Sequence, residues 1–326
     1  MHAREAGIAT VFSSLIPVFF KNNWEVDINF NSISKKYLDI DVFNTHSACD
    51  VLLCGFDSVD IDETKDILLW ARNNNILSIG ILDAWKGIDR FWKSDGSLRE
   101  MVDFLFVPDI IIANWLIKRG IDHNIIKIIQ HPVIKRLQSI PKKRRQLIRN
   151  SVEKKYNADS KDILMFFSEP IYDGFNNERK YTSLSNAKII NQKSIPLLDW
   201  MIDKYAERYH LFMRTHPVED VNPSDLVSNG NNLSLDEALF SPKLIIGVGS
   251  TVLRYAAALG LPVRNISDNI QWSPAQSNYD SKIWKDIVSN GLFGHNLNVQ
   301  SNDRLNVQSN DRALPVFDQI ISLLNN

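Results

Sequence analysis

The sequence predicts an α/β protein built from two doubly wound domains. The chain has 326 residues, of which 44% are hydrophobic, and this length exceeds the size at which one core usually stops growing. Short apolar runs alternate with helical patterns, which is typical of parallel strands joined by helices. The rhythm is interrupted near residue 140. Each half of the chain is therefore expected to form its own parallel sheet covered by helices.

The first half begins without an obvious strand. Residues Ala3–Gly7 are typical of a loop and precede a helical pattern, so the first strand of the sheet is predicted to be missing. Helices are predicted over Asp62–Asn74, which opens on acidic residues, and Trp115–Gly120, which closes on a glycine. The apolar runs predicted as buried strands are Trp24–Phe30, Asp50–Gly55, Ile76–Leu82, Asp109–Ala113 and Ile125–Gln130.

The second half repeats the same alternation after a break. Residues His131–Arg149 contain two prolines and the basic run Lys142–Arg145, which predicts a linker followed by an exposed helix. We therefore divide the chain into domains at residues 1–140 and 141–326. The predicted strands are Asp162–Ser168, His210–Arg214, Leu244–Gly247 and Pro262–Ile266, and the predicted helices are Ile195–Arg208 and Thr251–Leu259.

An exact octapeptide repeat stands near the end of the chain. Leu297–Arg304 is followed at once by an identical copy, Leu305–Arg312. Two polar copies are too few to bury a core of their own, since repeat folds need at least about three units. Residues 297–312 are therefore expected to be a duplicated surface loop.

Composition excludes several classes of function. A formal net charge of -1 and a pI near 6.7 argue against nucleic acid as the main partner. No apolar stretch approaches the roughly 20 residues of a spanning helix, and the first residues lack a signal-peptide pattern, so a cytoplasmic location is expected. Cys49 and Cys54 are not spaced as metal ligands, and we predict no metal site.

The strongest chemical signal is a glycine turn between a strand and a helix. Gly247-Val248-Gly249-Ser250-Thr251 follows a buried apolar run. The N-terminus of the following helix offers unpaired N–H groups and a favourable dipole to an anion, and Ser250 and Thr251 add hydroxyl groups while Gly249 allows close approach. A plain helix cap is the alternative, because the turn matches neither the Walker loop nor the dinucleotide fingerprint.

A second signal lies at the end of another predicted strand. Arg214-Thr215-His216-Pro217 stands where ligands bind in open α/β sheets, beyond the carboxyl end of a strand. His216 and Arg214 are both donors suited to a phosphate. The alternative is a solvent-facing turn histidine.

Together these motifs resemble the donor half of GT-B glycosyltransferases. Over about Asp162–Ile266 the chain is most similar to bacterial sialyltransferase-like enzymes of capsule and lipopolysaccharide synthesis, and less so to glycerol-phosphate polymerases of teichoic-acid synthesis. The resemblance implies two Rossmann-like domains facing across a cleft, with His216, Ser250 and Thr251 on the phosphate of a nucleotide sugar. The acidic residue that often follows the Ser/Thr pair is replaced here by Arg254-Tyr255.

The acceptor side offers two candidate bases. Asp83 follows the predicted strand Ile76–Leu82, and Glu5 lies on the first loop beside Arg4. Either carboxylate is suited to take the acceptor proton in an inverting transfer, or is instead a helix cap or an arginine partner. Arg4 and Glu169 are expected to bind substrate, and Trp85 is suited to stacking on a sugar ring.

The sequence favours a metal-independent glycosyltransferase that uses a CMP-linked acidic sugar or a UDP-sugar and needs no further cofactor. A sugar-nucleotide epimerase or a polyol-phosphate transferase on the same fold is one alternative. A non-catalytic sugar-nucleotide-binding protein is another. The basic run Lys142–Arg145 with Arg149 is either a solvated face or a weak contact with anionic lipid at the inner membrane face.

Overall fold

The chain folds into two compact α/β units. One contains residues 1–136 and 298–326, and the other contains residues 137–297. The computed structural model describes residues 1–3, 6–26, 29–30, 49–55, 61–82, 91, 101–158, 160–168, 171–173, 180–182, 188–189, 197–215, 226–247, 250–266, 270–271 and 314–324. The repeated octapeptides at 297–312 lie outside these residues.

Unit 1 is built on a parallel sheet. Its described strands are β1 (His2–Ala3), β2 (Asn29–Phe30), β3 (Val51–Gly55), β4 (Leu77–Ile81), β5 (Phe104–Val107), β6 (Ile126–Gln130) and, from the far end of the chain, β16 (Leu314–Pro315). They are ordered β16-β6-β5-β4-β3-β1-β2. The central strands are apolar and buried because helices cover the sheet. The sequence predicts β3, β4 and β6 but misses β5.

The helices of unit 1 are α1 (Ala6–Lys21), α2 (Ile61–Asn73), α3 (Ile110–Lys118) and α9 (Val316–Leu324). Helix α1 packs so closely on β3 that a Cβ at Gly55 would lie 2.8 Å from the Cβ of Ile8. The predicted helix ending on a glycine is confirmed: Gly120 adopts a positive φ of 97° just beyond α3.

Three expectations for unit 1 are wrong. A first strand is present, since β1 pairs with both β2 and β3. The run Asp109–Ala113 is helical, because the Asp109 carboxylate accepts a hydrogen bond from the Ile112 N–H (2.9 Å) and caps α3. Of the predicted strand Trp24–Phe30, Asn29–Phe30 is confirmed as β2, but Trp24 does not belong to a strand and its ring packs 5.4 Å from that of Phe19. Short apolar runs do not distinguish a strand from a buried helix.

The C-terminal segment also differs from the predicted division. Helix α9 belongs to unit 1, whereas the sequence groups it with the second half. Phe317 lies with its ring centroid 5.5 Å from those of Phe19 and Trp24. Strand β16 extends the same sheet by pairing with β6. Unit 2 is therefore inserted between two segments of unit 1.

Unit 2 has a second parallel sheet. Its strands are β7 (Asp162–Phe167), β11 (Tyr209–Arg214), β12 (Ser228–Asn229), β13 (Leu244–Gly247) and β14 (Val263–Asn265), in the order β12-β11-β7-β13-β14. Two antiparallel ribbons accompany it, β8 (Ile171–Asp173) with β9 (Lys180–Thr182), and β10 (Lys188–Ile189) with β15 (Ile270–Gln271).

Helices of unit 2 are α5 (Lys142–Lys155), α6 (Leu197–Tyr205), α7 (Leu235–Phe240) and α8 (Thr251–Ala258). The predicted strands and helices of this half are confirmed to within a few residues at their ends. One core cluster lies between the sheet and α6, and its buried members are Leu164, Phe166, Trp200, Met201, Tyr205, Leu211, Met213, Val227, Ile246 and Ile266.

The predicted linker is helical. Helix α4 (Pro132–Ser139) contains the boundary between the two units, with Pro132 at its first position, where its missing N–H costs nothing. Arg145 of α5 donates to the carbonyl oxygens of Ile140 (2.8 Å), Gln138 (3.1 Å) and Leu137 (3.3 Å). The guanidinium thus satisfies carbonyl groups that the end of α4 would leave without intrahelical partners. None of the described helices combines the length and the apolar composition required to cross a membrane.

His210 makes the stability of unit 2 dependent on pH. Its pKa is lowered from the ordinary value of 6.5, first by burial and second by the positive charge of Lys161. A lowered pKa means that the unfolded chain binds the proton more readily. The stability that neutral His210 contributes is therefore fully present above about pH 6.5, and it is lost as the pH falls through the folded-state pKa of His210.

We expect His210→Gln to flatten this dependence. Gln retains a polar atom for the Ser228 hydroxyl, which lies 2.9 Å from His210 Nε2, but it does not titrate. Thermal midpoints at pH 7.5 and 5.5 should differ less for the variant than for the wild type, with Lys161→Met intermediate. Equal differences in wild type and His210→Gln would contradict the assignment.

Candidate functional site

The carboxyl ends of the strands of unit 2 lie at one level. Phe167 pairs with both Arg214 and Gly247, and Gly247 pairs with Asn265. The pairing continues one residue further, because the Ser168 N–H donates to the Arg214 carbonyl oxygen (2.9 Å). This is the edge where open α/β sheets bind ligands, and both predicted phosphate motifs follow strands that end there.

Position 247 requires a glycine because there is no room for a side chain at this edge of the sheet. A Cβ on it would lie 2.9 Å from the Phe167 carbonyl oxygen and 3.1 Å from Leu253 Cδ2. Any side chain here would push β13 from β7 or α8 from the sheet. The glycine therefore lets the first turn of α8 approach the strand ends closely.

Helix α8 begins at this edge with two hydroxyl residues. Ser250 occupies the N-cap position with an extended backbone (φ -65°, ψ 141°), yet its hydroxyl makes no capping hydrogen bond to the helix. Both Ser250 and Thr251 are half-buried. An N-cap serine normally accepts from a backbone N–H of the first turn. Here the Leu253 N–H donates to the Ser250 carbonyl oxygen instead (3.0 Å), so the Ser250 hydroxyl is available to an anion at the helix N-terminus.

Ser234 shows the contrasting case in the same unit. It caps α7 fully: its Oγ accepts from the Glu237 N–H (3.2 Å), and Glu237 Oε2 accepts from the Ser234 N–H (2.8 Å). This reciprocal pair satisfies two donors of the helix end. The Ser234 side chain thus caps its own helix, whereas the Ser250 side chain makes no capping hydrogen bond to α8.

A short loop is bound to the carboxyl end of β11, at the same edge of the sheet. Asn231 Nδ2 donates to the Thr215 hydroxyl (2.6 Å), and the Thr215 N–H donates to Asn231 Oδ1 (3.1 Å). Gly230 permits the contact, because a Cβ there would lie 2.9 Å from the Met213 carbonyl oxygen. The segment that leads into His216 therefore starts from a fixed position.

Arg214 takes part in the same arrangement. Its Nη1 donates to the Leu233 carbonyl oxygen (2.6 Å), a contact that the sequence does not predict. This bond fixes the guanidinium against the loop before α7. Arg214 positions the loop before α7, and its predicted role toward phosphate stays a prediction.

Several predicted site residues lie outside the described part of the chain. They are Arg4, Glu5, Asp83, Trp85, Glu169, His216 and Gly249. Their predicted roles remain predictions. Arg214, Ser250 and Thr251 lie at one sheet edge, and their roles also stay predictions. Across the described ranges, no three or more His, Cys, Asp or Glu side chains are grouped so that they could hold a metal ion.

Sequence reasoning missed two polar residues at strand ends. His131 follows β6 directly and is only 4% exposed, and it precedes a proline just as His216 does. Ser168, also 4% exposed, follows β7. The signal for His131 was the His-Pro pair after an apolar run, which was assigned to a linker instead.

No family model matches the chain, and no curated protein matches it. Among solved structures it is similar to the UDP-GlcNAc 2-epimerase of Neisseria meningitidis bound to UDP-GlcNAc, with 14% identity over 88% of this chain and 90% of that one and a TM-score of 0.55. It is similar to the MnaA–UDP structure of S. aureus, with 12% identity over 88% and 86% of the two chains and a TM-score of 0.54.

A third likeness is partial. The chain spans about 40% of the wall teichoic acid polymerase TagF, with 13% identity over 51% of this chain and a TM-score of 0.34. The two nearly full-length likenesses establish the fold: the protein consists of two Rossmann-like units of the GT-B type, as the sequence predicts.

We expect the two N-cap serines to respond differently to mutation. Ser234→Ala removes a complete capping box and should lower the free energy of unfolding by about 1 kcal/mol. Ser250→Ala removes a hydroxyl that caps nothing and should change it by less than about 0.5 kcal/mol. Urea unfolding of both variants provides the measurement. A larger loss for Ser250→Ala would show that its hydroxyl serves the fold.

Proposed function

We propose that this chain is a nucleotide-sugar enzyme, and specifically a metal-independent inverting glycosyltransferase. The observation that supports it is the open N-terminus of α8 at the carboxyl edge of the sheet, where Ser250 carries a hydroxyl that its own helix does not use. Phosphate is the ligand that such an arrangement favours. The GT-B fold adds to this support, since both nearly full-length neighbours contain UDP or a UDP-sugar.

The proposed site stabilises the departing nucleotide phosphate. As the bond between the anomeric carbon and the phosphate oxygen breaks, negative charge develops on that oxygen. Donors already fixed at the site lower the energy of this charge because they need no reorganisation. Ser250, Thr251 and the first-turn N–H groups supply such donors, and His216 and Arg214 are the proposed cationic partners.

The acceptor hydroxyl needs a base. Asp83 or Glu5 would take its proton while the hydroxyl oxygen attacks the anomeric carbon from the face opposite the phosphate, which inverts the configuration. Arg4, Glu169 and Trp85 are proposed to bind the sugars. We further propose unit 1 (residues 1–136 and 298–326) as the acceptor side and unit 2 (residues 137–297) as the donor side.

The finer features of the proposal come from the sequence resemblance. The donor would be a CMP-linked acidic sugar, as in sialyltransferase-like enzymes, or a UDP-sugar, with no additional cofactor. The acceptor would be a glycan or glycolipid of capsule or lipopolysaccharide synthesis. The reaction would take place in the cytoplasm.

A second candidate function is epimerisation of a sugar nucleotide. The observation in its favour is the similarity to the N. meningitidis UDP-GlcNAc 2-epimerase over 88% of this chain. The same phosphate site serves both reactions, because each requires the nucleotide to be held at the sheet edge. The two differ in what happens to the sugar.

Nucleotide binding tests the site itself. Wild-type protein should be stabilised by UDP, CMP or one of their sugars, by about 2.7 kcal/mol at 100 times the dissociation constant, which a thermal shift detects. Ser250→Ala/Thr251→Val should lose at least about tenfold in affinity, since two hydrogen bonds to a charged group are removed. Ser234→Ala should lower the midpoint of the ligand-free protein but keep the ligand-induced shift. Equal affinity in all three proteins would refute the site.

Product analysis distinguishes the two candidate reactions. Proton and phosphorus NMR of UDP-GlcNAc and of a CMP-linked acidic sugar, each incubated with the enzyme, separates release of the nucleotide from inversion at C2. Transfer predicts nucleotide release that Asp83→Asn or Glu5→Gln abolishes. Inversion of UDP-GlcNAc at C2 without added acceptor would establish the epimerase instead. Binding without either product would identify a non-catalytic protein.

A further inference from the structure

Helix α5 concentrates positive charge. Seven of its 14 residues are Lys or Arg, and Glu153 is its one acid, whereas the whole chain carries 37 basic and 38 acidic residues. Its first turn holds Lys142, Lys143 and Arg144 and no acid. Bases at a helix N-terminus oppose the helix dipole. The helix therefore retains charges that weaken it, which points to a role outside its own stability.

The inward face of α5 accounts for only part of that charge. Arg145 places its guanidinium 4.9 Å from the centre of the Phe240 ring and also binds the end of α4. Val152 is fully buried on the same side, and the Nε of Arg149 is buried. The sequence groups Arg145 and Arg149 with a basic run that is either a solvated face or a lipid contact, and the structure places the Arg145 guanidinium and the Arg149 Nε on the packed side of α5 instead.

The outward face is basic with one apolar residue at its centre. At 100° per residue, Lys143, Arg144, Lys154 and Lys155 project on the same side as Leu147. All five side chains are exposed, Leu147 by 52%. None of the four bases pairs with an acid among the described residues. We call this set the outer face of α5.

We propose that the outer face of α5 docks on a bilayer surface that contains acidic phospholipids. Charge complementarity supports that partner, since four bases that pair with no acid among the described residues face outward together. Of these, Lys155 also places its Nζ 5.2 Å from the centre of the Tyr156 ring. Leu147 fits the same partner, because a leucine at the centre of a basic helix face enters the boundary between headgroups and acyl chains. The aliphatic stems of the lysines follow it while their ammonium groups stay among the phosphates.

Nucleic acid fits the outer face less well. The chain as a whole has a net charge of -1, whereas nucleic-acid-binding domains are typically strongly basic. A central exposed leucine contributes nothing to a contact with a phosphate backbone. These two observations favour the membrane.

Flotation with lipid vesicles tests the proposal on the full chain. Vesicles of phosphatidylcholine with about 30% phosphatidylglycerol should bind the wild-type protein, and pure phosphatidylcholine should not. Raising the salt to about 0.5 M should release it, because screening then acts within a few ångströms. At about fivefold per base, Lys143→Glu/Lys154→Glu should weaken partitioning at least about 25-fold.

Matched variants distinguish binding through the outer face of α5 from binding that depends only on the net charge of the protein. Lys65→Glu/Lys118→Glu changes the net charge equally on α2 and α3, where both lysines are exposed, and should bind as the wild type does. Leu147→Ser should bind several-fold more weakly. Circular dichroism and thermal melting confirm that each variant is folded.

Three outcomes would overturn the proposal: equal binding to pure phosphatidylcholine, equal loss in both double variants, or full binding by Leu147→Ser. Tight binding of a DNA duplex that requires Lys143 and Lys154 would do the same and assign the face to nucleic acid.

Discussion

Main-chain pairing holds Phe167, Arg214 and Gly247 at one level of the five-stranded sheet, and the segments that follow leave the sheet side by side. Parallel strands allow this because they all point the same way. The close approach at Gly247 then brings the first turn of α8 against the same edge. The proposed chemistry depends on that alignment, since Arg214 and Ser250, far apart in sequence, reach the same sheet edge only through the register of the strands.

The sequence predicted the parallel sheets and most helices of unit 2 because strong apolar runs specify both type and place. It failed at Asp109, where an apolar run of strand length follows a capping residue. The Asp109 carboxylate favours a helix over a strand because it accepts a hydrogen bond from the Ile112 N–H. Hydrophobicity alone does not distinguish a helix from a strand in so short a run. The sequence also could not predict that α9 packs in unit 1, because the apolar face of an amphipathic helix does not specify which of two cores it joins.

The candidate site was predicted in part for a related reason. Motifs such as Ser250-Thr251 are local and visible in the sequence, whereas the hydrogen bond from Arg214 to Leu233 joins residues 19 apart. Whether an N-cap hydroxyl is used by its helix is also a matter of geometry, as the contrast between Ser234 and Ser250 shows. The sequence shows which side chains have the chemistry to bind a ligand. Only the tertiary contacts show which of these side chains stabilise the fold and which are available to a ligand.

The insertion of unit 2 within unit 1 has a consequence for biosynthesis. Residues 137–297 all leave the ribosome before β16 and α9 exist, so the second unit has its entire sequence available while the first still lacks an edge strand and a helix. Domains generally fold as units during synthesis. The ring of Phe317 reaches Phe19 and Trp24 only after nearly three hundred intervening residues have been translated. The segment of unit 1 that is translated before unit 2 is thus completed only after unit 2 has been translated.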